Sequence, residues 1–234
     1  IMTDATDLTE IGDYAFNNCN NAYGTAYIGD KVKRIGHDAF FQSEISGLSN
    51  LENALALTEI GNNAFQSLRL GGIHVTIPQN VKLIGSSAFY GCDEIGTINL
   101  INASSLTRIA LGAFEYCVSV RSELRIPQSV LTINRDTFAQ CRSLETINLA
   151  GASHLTGIGN QAFISCLAAT GELYIPQSVL TIDDAAFFRC QNLDNINLAD
   201  ANELTSIGTL AFTGCNQVGG TIAIPGKLTG LSDS

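Results

Sequence analysis

Basic residues are scarce in this chain. Its 234 residues include 12 lysines and arginines against 22 aspartates and glutamates, a net charge of −10. The densest basic stretch is only "KVKR" at 31–34. Nucleic-acid binding needs a concentrated basic face to neutralise phosphates, so no DNA or RNA partner is expected. The same acidity repels anionic membrane surfaces. No apolar run approaches the roughly 20 residues that cross a bilayer, so no direct membrane insertion is expected of this segment. No signal peptide is visible, but the chain opens "IMTDATDL" on Ile1, which reads as a piece of a longer or processed protein. Also missing are GxSxG, HExxH, GxxxxGK[ST] and an EF-hand loop, which leaves no motif for nucleophilic, metal or phosphate chemistry. Prolines number four, and no segment is of low complexity.

What the chain has instead is repetition. Phenylalanine recurs at Phe16, Phe40, Phe65, Phe89, Phe114, Phe138, Phe163, Phe187 and Phe212, with gaps alternating between 24 and 25. Isoleucine stands five residues before each of them, as in "IGNQAFISC" (158–166). Alanine precedes eight, Thr137 precedes the ninth, and cysteine follows three residues later in seven of the nine units. A longer period overlies the short one. Pro78, Pro127, Pro176 and Pro225 are each 49 apart, and "INL" recurs at 98–100, 147–149 and 196–198. The building block is therefore a pair of unlike units.

Each unit carries a short alternating piece such as "INL" or "LYI", which is a strand with one outward residue between two apolar ones. "IGxxAFxxC" cannot extend that alternation and should return the chain through a turn and a short helical or 3₁₀ segment. The glycine after isoleucine, present in six units, suits a tight turn. One unit cannot bury its Ile, Ala, Phe and Cys positions alone, but stacked neighbours can. The expected fold is one repeat-solenoid domain over 1–234, with parallel strands about 4.8 Å apart.

Seven cysteines at spacings of 24 or 25, with one gap of three units, make neither a metal-ligand pattern nor a CxxC motif. Bridges between neighbouring coils are not excluded by distance. An odd number at one repeat position nevertheless favours buried free thiols. His37, His74 and His154 fall in different units, and the closest carboxylate pair, Asp183–Asp184, occupies a turn. No catalytic residue, metal site or cofactor is expected.

The strings "LTxIGxxAFxxCxxL…INL" and "IPxSVxxI" resemble the BspA-like leucine-rich repeats along essentially the whole chain. Departures fall in the second and third units, where Ser43 and Leu68 replace cysteine and "GLSNLENALA" blurs the strand pattern. The resemblance implies a right-handed arc with short parallel strands on its concave side. It also implies an extracellular or cell-surface adhesion or recognition protein. Its partner would be a protein or glycan, such as extracellular matrix or another cell surface.

A ligand would meet the outward residues of the strands, a column of Tyr27, Asn50, Thr76, Asn99, Arg125, Asn148, Tyr174, Asn197 and Ala223. The asparagines have a structural reading as a ladder hydrogen-bonded along the stack. Glu123, Arg125, Asn148, Glu172 and Tyr174 form the strongest candidate patch, since Arg and Tyr anchor interfaces. Thr9, Thr58, Thr107, Thr156 and Thr205, each 49 apart, read as structural turn hydroxyls. Asn102, in "NAS", would carry a glycan if the chain is secreted by a eukaryote. The alternative to a recognition module is a structural array, part of a filament, sheath or surface layer. "IPGKLTGLSDS" shows no distinct capping unit, and uncapped strand edges would allow self-association through the solenoid ends.

Overall fold

The computed structural model describes residues 6–231; the first five residues of "IMTDATDL" and the closing "SDS" lie outside that range. The chain winds as a parallel solenoid carrying two columns of strands. One column is continuous. Ten two-residue strands, from Glu10–Ile11 through Arg108–Ile109 to Gly230–Leu231, pair in parallel in chain order. Nine of them end on the isoleucine that precedes each phenylalanine by five, and isoleucine stacks on isoleucine across the ladder. The isoleucine therefore belongs to a strand, where only a turn was expected.

The alternating pieces form the second column, which is interrupted. Gly24–Tyr27 pairs with Ile45–Ser49, His74–Thr76 with Thr97–Asn99, Glu123–Arg125 with Thr146–Asn148, and Glu172–Tyr174 with Asn195–Asn197. No ladder joins one pair to the next among the described residues. The reason lies in loop length. Thr76, Arg125 and Tyr174 each face an asparagine 23 positions on, whereas Asn99 and Asn148 precede the next such strand by 26. Loops such as "INASS" carry the additional residues. They set the following strand out of hydrogen-bonding register.

The "AFxxC" segment is a run of turns; among the described residues the one 3₁₀ helix is Leu51–Asn53. Left-handed backbone recurs at two places in every unit, three residues after the isoleucine and two after the phenylalanine. Tyr116, Gln140, Ser165 and Arg189 all adopt φ near +60°. Each such non-glycine residue costs about 1 kcal/mol. Bonds along the stack offset that cost: Phe40, Phe65, Phe89 and Phe138 each donate a backbone N–H to the next coil's carbonyl at 2.8 Å.

Inside, the nine phenylalanines form a spine with ring centroids 5.0–5.5 Å apart, seven of the eight pairs within 12° of parallel. Seven of the rings are fully buried. All seven cysteines are free thiols. Six of them donate Sγ–H to the phenylalanine carbonyl of the preceding coil at 3.0–3.5 Å. Burial pushes the Cys92 and Cys141 thiols up to about 12, so they stay protonated and inert.

Ser43 is the informative exception. Only 6% exposed, its hydroxyl has no partner. A serine oxygen is carried on a shorter bond than a sulfur and needs a shorter contact, so it cannot bridge a gap set by cysteine. Ser43→Cys is expected to stabilise the chain by about 1 kcal/mol, read as a higher midpoint in chemical denaturation.

Candidate functional site

The functional question turns on the interrupted strand column, because that is where side chains face outward. Within each three-residue strand the middle residue is buried and its neighbours emerge, as in Glu123–Leu124–Arg125. Register then sets partners side by side: Glu123 with Thr146, Arg125 with Asn148, Tyr174 with Asn197, and Thr76 with Asn99.

Three of the five candidate patch residues form one network. Arg125 Nε donates to Glu123 Oε2 at 2.7 Å, and Asn148 Nδ2 donates to Glu123 Oε1 at 2.6 Å. The Asn148 bond, then the Arg125 bond, hold the Glu123 carboxyl below its usual range. A lowered carboxylate contributes above its ordinary titration range, and the contribution is lost only as pH falls through the lowered value. Asn148→Ala is expected to move the Glu123 titration upward, short of the free value because Arg125 remains. Carbon-13 NMR of the side-chain carboxyl reads that shift.

Glu172 and Tyr174 sit on the next strand pair and make a separate network. Asn195 Nδ2 donates to Glu172 Oε1 at 3.2 Å, and Tyr174 donates its hydroxyl to Asp200 Oδ2 at 3.1 Å. Partial burial, then the Asp200 bond, raises the Tyr174 phenol.

The asparagines do not form a ladder. Asn99, Asn148 and Asn197 each accept from the backbone N–H two residues on, at 3.0–3.1 Å, and so fold their own turns. Consecutive asparagines lie two coils apart, beyond direct reach. Asn50 leaves the column altogether. A register shift between Gly24 and Thr25 brings Ser49 opposite Tyr27, and Asn50 turns left-handed with φ 65°. Ala223 lies in a segment without strand. The threonine column is structural: Thr58, Thr107, Thr156 and Thr205 each donate Oγ1–H to the preceding coil's backbone at 3.0–3.3 Å. Asp184 likewise accepts the Thr209 N–H at 2.7 Å, a turn contact between coils.

The breaks between strand pairs open clefts. One of about 320 Å³ runs between Thr97–Asn99 and Glu123–Arg125, with Ser122 in its wall. A second, about 340 Å³, lies beyond Arg125 against Pro127 and Asn148. A third extends toward Thr76 and Asn102. Ile101 lines all three and is 54% exposed. Sequence reasoning passed over Ile101, Ser122 and Asp200. A signal for Ile101 was present: alanine holds its place at Ala150 and Ala199, 49 residues apart. Asn102 is exposed at the rim of the third cleft. Among the described residues, no group of three or more His, Cys, Asp or Glu residues is placed to hold a metal. No helix there is long and apolar enough to cross a membrane.

Parallel strands on one side and largely non-helical turns on the other, closed over a phenylalanine spine, define a leucine-rich-repeat solenoid. Comparison with known families then narrows the class. The chain belongs to the BspA type leucine-rich-repeat family, whose pattern matches residues 9–124 and 107–234. A leucine-rich repeat protein from Bacteroides ovatus is 25% identical, with a TM-score of 0.64 over 90% of this chain and 57% of its own. The leucine-rich repeat protein of T. pallidum is 26% identical, with a TM-score of 0.60 over 84% and 83%. The pneumococcal vaccine antigen PcpA, 20% identical with a TM-score of 0.65, shares the fold. The chain thus spans little more than half the length of the Bacteroides ovatus protein. No curated protein matches it in sequence.

Proposed function

We propose that this solenoid is an extracellular or cell-surface recognition module that holds a protein or glycan along its interrupted strand column. The observation that carries the reading is the run of three clefts that meet at Ile101, two of them lined by Arg125 as well. An exposed isoleucine beside an arginine, flanked by hydrogen-bonded polar residues, has the chemistry of an interface anchor with a polar rim. Family membership supports the surface location and the non-catalytic role. Tyr27, Thr76, Asn99, Glu172, Tyr174 and Asn197 flank this centre and would extend the contact along the column. A glycan on Asn102, in a secreted eukaryotic product, would crowd the third cleft.

The test is a binding screen of the chain against immobilised matrix proteins and glycans. An Ile101→Glu/Arg125→Ala variant runs beside it, with circular dichroism to establish its fold. Both substitutions fall on exposed side chains, so the fold should persist. A ligand retained at least tenfold better by the parent supports the reading. Equal retention by both sinks it. Polymers that lengthen with concentration, with no ligand bound, would favour the structural array instead.

A further inference from the structure

The second and third units, the ones that depart from the repeat, build a cleft of their own. In regular coils a buried apolar side chain follows the cysteine position by three, as Ile95 follows Cys92 and Val120 follows Cys117. In these two units it comes one residue early, as Ile45 and Leu70, both buried. The third position is left to Ser46 and Gly71. The same slip causes the register shift beside Thr25. A cleft of about 360 Å³ opens where two apolar anchors are missing.

Several of the side chains lining it are polar and uncommitted. Ser43, 6% exposed with no partner for its hydroxyl, lines it. Arg69, Glu44 and Glu94 also line it, and none of the three takes part in an ion pair among the described residues. Tyr23, 70% exposed, stands at the rim.

We infer that this cleft is a binding site for a neutral saccharide, separate from the Ile101–Arg125 clefts. Two carboxylates disfavour phosphate and other anions, and an arginine in the same cleft disfavours a metal cation. Guanidinium and carboxylate groups together donate to and accept from vicinal hydroxyls. An exposed tyrosine ring offers an apolar face to the C–H side of a pyranose. The volume lies at the small end of ligand pockets.

The experiment is saturation-transfer NMR on the full chain with the methyl glycosides of glucose, galactose, mannose and N-acetylglucosamine. Gly71→Leu, which refills the cleft with the missing side chain, and Arg69→Ala are compared with the parent. At least one glycoside should show transfer, reduced at least tenfold in affinity by each substitution while circular dichroism is unchanged. Absence of transfer for all four glycosides overturns the inference. So does transfer unaffected by both substitutions, or displacement of the signal by glycylglycine but not by free sugar, which would mark a peptide pocket. Ile101→Glu leaves the signal intact, so failure here and failure of the recognition reading are distinguishable.

Discussion

Phe114→Ala is expected to destabilise the solenoid by about 4 kcal/mol, the range for emptying a buried aromatic position. Phe114 lies 5.1 Å from Phe89 and 5.5 Å from Phe138, within 5° of parallel to both. Removing it therefore breaks two stacked contacts as well as opening a cavity. A helical bundle could collapse around such a hole. Here the coils on either side are held at strand spacing by continuous backbone pairing, so little relaxation is available. Because each coil touches only its neighbours, the damage should divide the array. Denaturant unfolding, followed by amide exchange, should show the coils around 89–138 opening before the rest. A single transition with a loss under about 1 kcal/mol would show that the spine is not the stabilising element.

Gly159→Ala should cost about 1–3 kcal/mol, although it adds a single methyl group. A Cβ there would lie 2.8 Å from Arg135 N and Asn134 C and 2.9 Å from Ile133 O, all backbone atoms of the preceding coil. Gly36, Gly61, Gly85 and Gly208 meet the same obstruction at 2.5–2.8 Å. None of these five adopts positive φ, so close approach and not a tight turn is the reason for glycine. Ala110, Asn134 and Asp183 hold the position in other coils. Gly12, in the first described coil, meets nothing within 4 Å. Gly12→Ala is therefore the control, and its cost should be well below that of Gly159→Ala. Equal costs for the two would point to turn conformation instead.

Much of the candidate site was legible because outward positions follow from strand alternation. Arg125 and Asn148 share a column in the repeat register, Glu123 stands two residues before Arg125 on the same strand face, and the three form one network in the fold. Ile101 was harder to see, since its signal is a departure from the repeat, an isoleucine where Ala150 and Ala199 stand in later coils. The cleft at Gly71 was hidden for a related reason. A one-residue slip of the apolar anchor reads as noise in one unit, and becomes a cavity only when two slipped coils are stacked.

By itself the sequence determined the coil, its period and its core, because nine copies of Ile and Phe, seven of them with Cys, at spacings of 24 and 25 can all be buried only by stacking. Tertiary structure alone decided three things. It made the isoleucines a continuous ladder, because strand pairing depends on the neighbouring coil and not on local alternation. It split the outward strands into pairs, because three residues distributed over a coil change register only when two coils meet. It turned the asparagines inward on their own loops, because an i to i+2 backbone partner is nearer than an identical side chain two coils away.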